Sequence, residues 1–138
     1  MLPTFSSYYE FATKDSEVIF YNLKKEDNFQ LDIHDYIRFI KDNDINNIAI
    51  INPNNPNGGY IPKDQLSILI EELKGLDTII MDESFIHFAY EDNEIHQVSN
   101  DELIRKYPNM VLIKSMSKDF GVAGIRAGYG VMNSDRVK

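Results

Sequence analysis

Apolar residues recur along this chain with a helical period in some stretches and as short continuous runs in others. Two helices are predicted from apolar stripes at i, i+3, i+4 and i+7. The first stripe follows Asp32, a suitable capping residue, and the second lies between Pro62 and Gly75. The eight residues of the stripes are Ile33, Tyr36, Ile37, Ile40, Leu66, Leu69, Ile70 and Leu73. The apolar face of each helix is expected to pack against a β-sheet.

Continuous apolar runs predict strands at 47–51, 77–81 and 110–113, and β-prone residues predict others at 18–23 and 129–132. Weaker signals predict a helix at 6–13 and a short helix capped by a Ser99 and Glu102 box. Strands alternate with helices at spacings of about 30 residues, typical of βαβ units. The pattern predicts an α/β fold, with a mostly parallel sheet in a three-layer α/β/α arrangement. Phe85 and Phe88 are expected in the core.

The composition restricts the function. The chain of 138 residues has the size of one domain, and 43% hydrophobic residues suffice for a core. A net charge of −8 argues against nucleic-acid binding, and no apolar run or signal-peptide pattern predicts a membrane segment, so a cytoplasmic location is expected. There is no cysteine, and the three histidines, His34, His87 and His96, lack ligand spacing, so no metal site is predicted. Both His87 and His96 are expected at the surface.

Polar residues follow three of the predicted strands. They are the Asn- and Pro-rich loop 52–59, Asp82, and the tetrad Ser115 to Lys118, with Arg126 further along the chain. Parallel strands place their outgoing loops at one edge of a sheet, where ligands bind. We therefore expect Asn55, Asp82 and Lys118 to lie close together.

These motifs resemble those of the class I and II aminotransferases, which are fold-type I pyridoxal-phosphate enzymes. Residues 52–58 resemble the family's Asn-Pro-x-Asn-Pro-Thr-Gly loop, with Asn57 in place of threonine. Residues 82–85 resemble its Asp-Glu-Ala-Tyr strand end, with Phe85 in place of tyrosine. The run Ser115-Met116-Ser117-Lys118, with Arg126 eight residues later, resembles the cofactor-lysine signature. The resemblance covers essentially the whole chain.

The resemblance implies a role for each matching residue. Lys118 would form a Schiff base with pyridoxal 5′-phosphate and carry the proton between Cα and C4′, and Asp82 would face the pyridine nitrogen. The remaining cofactor-binding residues would be Asn55 and Phe85 near the phenolic oxygen, Ser115, Ser117 and Arg126 at the phosphate, and Phe5 stacked on the ring. Phenylalanine cannot donate the hydrogen bond that tyrosine gives the phenolic oxygen, so a weaker hold on that oxygen is expected.

The resemblance implies an aminotransferase that moves an amino group between an amino acid and a 2-oxo acid, as a homodimer in the full-length protein. Asp-Glu-x-Phe also occurs among relatives that resemble threonine-phosphate decarboxylase and histidinol-phosphate aminotransferase, so decarboxylation of a phosphothreonine-like amino acid is an alternative. Residues 1–138 correspond to the central part of the large domain. The N-terminal part and the small domain are expected to be absent, and the fragment alone to be inactive.

Two other functions compete with this interpretation. Ser115 and Lys118 match the Ser-x-x-Lys motif of penicillin-binding proteins and class A β-lactamases, but that motif opens a helix whereas this one follows a predicted strand. The chain also fits a non-catalytic aminotransferase-like sensing domain of a larger regulator. Only flanking sequence, such as a basic winged helix upstream, distinguishes that function.

Overall fold

The computed structural model describes residues 1–91, 94–95 and 99–137. Its helices are α1 (Ser7–Ala12), α2 (Ile33–Asp42), α3 (Lys63–Glu72) and α4 (Glu102–Lys106). Its strands are β1 (Asn47–Ile51), β2 (Thr78–Asp82), β3 (Tyr90–Glu91), β4 (Glu94–Ile95), β5 (Met110–Ser115) and β6 (Gly128–Met132). No helix in these ranges is long and apolar enough to cross a bilayer.

The main sheet has the strand order β1-β2-β5-β6. The first three strands are parallel, and β6 pairs antiparallel with β5. Asp82 lies opposite Ile51 of β1 on one side and opposite Ile113 of β5 on the other. The mostly parallel α/β architecture predicted from the sequence is confirmed, and it puts the carboxyl ends of β1, β2 and β5 at one edge.

The core lies between one face of this sheet and helices α2, α3 and α4. Ile50, Met81 and Leu112 contribute one buried side chain from each parallel strand, and all eight residues of the two helical stripes are buried against them. On the other face, Ile80 and Ala12 of α1 line a cavity of about 470 Å³. The N-terminal segment with α1 thus forms the third layer.

The caps of the long helices follow from local chemistry. The carboxylate of Asp32 accepts hydrogen bonds from the backbone N–H groups of His34 and Asp35, at 2.9 and 3.0 Å, as expected of an N-cap. Pro62 immediately precedes α3 and is its N-cap residue, where the missing N–H has no consequence. The helix ends at Glu72, and the turn that contains Gly75 follows directly at residues 73–75.

The predicted strand at 18–23 is wrong. Among the described residues, this segment makes only an isolated parallel bridge, between Leu2 and Asn22. The backbone N–H of Leu2 donates to the oxygen of Tyr21, and the N–H of Leu23 donates to the oxygen of Leu2, both at 2.7 Å. Ile19 and Phe20 are 44% and 39% exposed. The segment has strand propensity but no neighbouring strand of the sheet to pair with, and propensity alone does not form a strand.

Two further predictions are wrong. Ser99 does not cap α4: its hydroxyl instead donates to Oε2 of Glu83 at 2.9 Å, and α4 begins at Glu102 with no side-chain cap. Phe88 is not in the core, because its side chain is 57% exposed, and Phe85 is only half-buried. Ile86, between them, is the fully buried residue of this loop. The prediction for His96 lies outside the described residues.

Candidate active site

Asp82 is held in place by two hydrogen bonds at the carboxyl end of the middle parallel strand. Its Oδ1 accepts from the backbone N–H of Ser84 at 2.8 Å, and its Oδ2 accepts from the hydroxyl of Tyr8 at 2.5 Å. Burial, together with this bond and the charge of Asp82, raises the pKa of Tyr8 above its usual value. The phenol therefore stays protonated and donates its hydrogen bond to the buried Asp82 side chain.

Lys118 lies in the turn that follows β5, and its side chain is exposed. Its Nζ lies 5.3 Å from the ring centroid of Phe85, in cation–π contact. Among the described residues it makes no ion pair with a carboxylate. The backbone N–H of Ser115 donates to Oγ of Ser84 at 3.0 Å, which joins the loop after Asp82 to the segment before Lys118. The sheet edge thus brings the predicted carboxylate and amine segments together, as expected.

The Asn-rich loop is closed by the buried side chain of Asn52, which exchanges two hydrogen bonds with the backbone of Ile61, at 2.8 and 3.0 Å. Within it, Asn54 is buried, whereas the predicted cofactor ligand Asn55 is only half-buried. Nδ2 of Asn54 donates to Oδ1 of Asn57 at 2.7 Å. The asparagine at position 57, where the family motif has threonine, is therefore an integral part of the turn.

The N-terminal segment connects this loop to Asp82. Asn54 donates to the backbone oxygen of Pro3 at 2.9 Å and accepts from the hydroxyl of Thr4 at 3.1 Å. Three positions beyond Phe5, Tyr8 reaches Asp82. Phe5 itself is 49% exposed at this edge. The motif resemblance at Phe5 pointed to this segment, but neither Thr4 nor Tyr8 was predicted as part of the site.

The predicted phosphate-binding residues lie on the loop between β5 and β6. Oγ of Ser115 accepts from the backbone N–H of Ser117 at 3.2 Å, which tightens the turn before Lys118. Gly121 and Arg126 both have left-handed backbone conformations, with φ of 63° and 56°. The guanidinium of Arg126 is exposed and makes no ion pair with the other described residues. The guanidinium is therefore available to bind an anion. In the described ranges, no direct contact joins it to Ser115 or Ser117.

A cluster of buried charges next to the site was missed by the sequence reasoning. Glu83 and Lys114 are 0% and 5% exposed, and Lys114 pairs with Asp119 at 2.7 Å. Burial raises the pKa of Glu83, although bonds from Asn100 oppose the shift. The signal was present in β5, where Lys114 continues the buried alternation of Met110 and Leu112. A lysine at a core position requires a buried partner.

The donors at this sheet edge fit pyridoxal 5′-phosphate. A buried carboxylate suits a protonated ring nitrogen, an exposed amine without an ion pair in the described ranges suits an aldehyde, and an exposed guanidinium suits a phosphate. Asp82, Lys118 and Arg126 are the residues that would hold these three groups. The strand β5 ends at Ser115 without opening a helix, so the arrangement differs from that of Ser-x-x-Lys hydrolases.

Comparison with known proteins identifies the family. The sequence model of the family described as aminotransferase class I and II matches residues 2–138. The L-serine phosphate decarboxylase of Campylobacter jejuni is 50% identical over 137 residues, which are 99% of this chain and 35% of that protein. The chain thus spans about a third of the length of the curated relatives it matches.

Two solved structures of related enzymes superpose closely on this chain. A decarboxylase from Sulfurospirillum multivorans superposes with a TM-score of 0.92 at 46% identity, over 99% of this chain and 35% of that one. The histidinol-phosphate aminotransferase of Clostridium acetobutylicum superposes with a TM-score of 0.79 at 34% identity, over 96% and 38%. The chain therefore belongs to the class I and II aminotransferase family, whose enzymes depend on pyridoxal phosphate.

Proposed function

We propose that this chain carries the cofactor-binding core of a pyridoxal-phosphate-dependent decarboxylase that acts on an O-phosphorylated L-amino acid, with L-serine phosphate as the first candidate. The observation that carries the proposal is the 50% identity to a protein named for that activity, over 99% of the chain. The similarity to histidinol-phosphate aminotransferases is lower, at 36% over 83% of the chain for that of Francisella philomiragia. The higher identity to the decarboxylase favours decarboxylation over the transamination that the motifs first suggested.

The cofactor, when bound, supplies an aldehyde for the substrate's amino group and a protonated ring that takes up the electron pair left at Cα. Asp82 would hold that ring nitrogen in its protonated form. Its two hydrogen bonds, from Tyr8 and from the backbone N–H of Ser84, keep the carboxylate in one orientation. An orientation fixed before substrate arrives removes the need to reorganise during the reaction.

Lys118 would hold the cofactor through its amine and later carry a proton. Its side chain is exposed and contacts a hydrocarbon ring face, not a carboxylate, so no ion pair must break before it reacts. In decarboxylation the Cα–carboxyl bond breaks, carbon dioxide leaves, and Cα takes up a proton. Lys118 is the residue that we assign to deliver that proton. From L-serine phosphate the product is O-phosphoethanolamine.

Ser115, Ser117 and Arg126 would bind the cofactor phosphate, and Asn55 and Phe5 would contact its ring. Arginine provides a charged fork for a phosphate group, and the serines add uncharged donors. The left-handed backbone at Gly121 lets the loop turn tightly between Lys118 and Arg126. The transamination of histidinol phosphate stays as the competing activity, because it uses the same cofactor and lysine.

The test is to incubate the full-length protein and pyridoxal phosphate with L-serine phosphate, and to measure carbon dioxide and O-phosphoethanolamine. The two products are expected in equal amounts without any 2-oxo acid. Lys118→Ala should abolish both. Lys14→Ala is the matched control, since Lys14 also lies over an aromatic ring, at 5.0 Å from that of Phe11, but far along the chain from the motifs.

Two results would contradict the proposal. If amino-group transfer from histidinol phosphate to 2-oxoglutarate proceeds faster than carbon dioxide release from L-serine phosphate, the protein is an aminotransferase. If Lys118→Ala retains the visible absorbance of the bound cofactor, the assignment of the lysine is wrong.

A further inference from the structure

Lys114 and Asp119 form a buried ion pair on either side of the segment that carries Lys118. Nζ of Lys114 lies 2.7 Å from Oδ2 of Asp119, and the two side chains are only 5% and 6% exposed. In every other lysine or arginine ion pair of the described ranges, both side chains are more than a third exposed. Because a buried pair contributes little net stability compared with an apolar pair of similar volume, its presence here calls for another explanation.

The same pair is joined to the loop that begins at Asp82. Lys114 donates to the backbone oxygen of Glu83 at 3.0 Å, and Nδ1 of His87 lies 2.8 Å from Oδ2 of Asp119. Oδ2 of Asp119 thus lies within ion-pair distance of an ammonium from β5 and close to an imidazole from the loop after β2, while neither buried carboxylate oxygen has a partner with hydrogen-bond geometry among the described residues. Both ends of this loop are attached to the segment 114–119.

Lys118 itself has few contacts that set its position. Its side chain is exposed, and the contact that the structure shows for Nζ is the ring of Phe85. The adjacent side chain of Asp119, by contrast, is 6% exposed, and its carboxylate lies against the side chains of Lys114 and His87. The Asp119 contacts therefore add to the hydrogen bond between Ser115 and Ser84 in holding the backbone at 118–119 relative to Asp82. A reactive group displaced by about 1 Å can lose roughly a hundredfold in rate.

We propose that Asp119 is a positioning residue, which Lys114 and His87 hold so that the amine of Lys118 and the carboxylate of Asp82 keep a fixed separation. The inference rests on the proposed function only where turnover is measured. Asp119 touches neither reacting group in this structure, so it acts through the backbone of its neighbour.

The test compares single and paired substitutions in the full-length protein. Asp119→Leu alone leaves the ammonium of Lys114 buried without its partner, so both the melting temperature and kcat should fall. The double substitution Lys114→Met with Asp119→Leu replaces both buried charges by apolar side chains, so the melting temperature should recover. If Asp119 positions Lys118, kcat of the double variant stays at least about tenfold below wild type, with KM changed by less than about twofold.

His87→Gln tests the same contact without a buried charge, because the histidine side chain is 44% exposed. It should lower kcat about threefold or more at an unchanged melting temperature. The matched control is Lys41→Met with Glu72→Leu, a pair with the same 2.7 Å distance but side chains that are about half exposed. The control should leave kcat unaltered.

Hydrogen exchange gives a readout that needs neither cofactor nor substrate. In the double variant, the amides of residues 115–121 should exchange at least about tenfold faster than in wild type, while those of β2 stay unchanged. If wild type lacks turnover on L-serine phosphate, the proposed function fails, and this experiment still tests Asp119. The positioning role is overturned if kcat recovers together with the melting temperature, or if exchange in 115–121 matches wild type.

Discussion

The hydroxyl of Tyr8 in α1 donates a 2.5 Å hydrogen bond to Oδ2 of Asp82, which lies 74 residues later at the end of β2. This bond joins the layer formed by the N-terminal segment to the middle of the parallel sheet. It also leaves the second carboxylate oxygen to the backbone N–H of Ser84. The orientation of the carboxylate is therefore decided by two elements that are distant in sequence.

Removing this hydroxyl tests its contribution. Tyr8→Phe should lower the free energy of unfolding by about 1–2 kcal/mol, because the carboxylate loses a charge-assisted hydrogen bond while the ring remains. It should also weaken pyridoxal phosphate binding, measured by titration of the visible absorbance. Tyr9→Phe is the control, since Tyr9 lies beside Tyr8 on the same helix but its ring packs edge-on against Phe20 instead of contacting Asp82. Equal losses in both variants would contradict a specific role for Tyr8.

Phe85→Tyr tests the departure from the family motif. A phenol at position 85 adds a donor that phenylalanine lacks, and a donor to an oxyanion favours the charged form of that oxygen. The pH at which the visible absorbance of the bound cofactor changes should therefore fall in Phe85→Tyr. Phe85→Leu removes the ring face 5.3 Å from Nζ of Lys118 without adding a donor, and serves as the control. The prediction fails if the absorbance titrations of wild type and Phe85→Tyr coincide.

The buried carboxyl of Glu83 should give stability a particular dependence on pH. Burial raises its pKa above 4.5, so between 4.5 and the raised value the folded protein binds more protons than the unfolded chain. The contribution of this group is complete below pH 4.5 and is lost as pH rises through the raised pKa. In Glu83→Gln, the melting temperature should fall less over that interval than in wild type.

Glu71 should make the melting temperature depend on pH in the opposite direction to Glu83. Hydrogen bonds from Lys74, Tyr107 and Lys106 lower the pKa of Glu71 to about 2. The contribution of Glu71 to stability is present above pH 4.5 and is lost as the pH falls toward 2. In Glu71→Gln, the melting temperature should therefore vary less with pH than in wild type, and only below pH 4.5. The group is exposed and screened by salt, so the effect should be small. If Glu71→Gln also altered the pH dependence of the melting temperature above pH 4.5, that result would argue against assigning this dependence to Glu83.

The apolar stripe of α3 predicts a large difference between two positions of one helix. Leu66 is completely buried, and Leu66→Ala should lower the free energy of unfolding by about 2–5 kcal/mol, through lost burial and the cavity left behind. Ile68, which is 46% exposed, is two residues away on the same helix, and Ile68→Ala should cost less than about 1 kcal/mol. Denaturant unfolding of the two variants measures both values. Similar losses at the two positions would show that the stripe does not face the core.

The sequence by itself determined the two long helices, the buried parallel strands and the edge at which the site lies. The two apolar stripes and the three buried runs are local patterns, and burial of their apolar residues is the dominant favourable term in folding. Once the strands are parallel, Asp82 and the turn with Lys118 share an edge. The order of the motifs then pointed to the family, and the comparisons confirmed it.

Only the tertiary structure decided which groups contact one another at that edge. Tyr8 contacts Asp82, Ser99 contacts Glu83, and Asp119 is shared by Lys114 and His87. These partners come from loops and turns, whose paths have no period in the sequence, and each side chain bonds to whichever group the packed elements bring within reach. For the same reason the β-prone residues at 18–23 have no strand to pair with. A local pattern specifies an element, but a buried polar group is satisfied only by a neighbour that packing supplies.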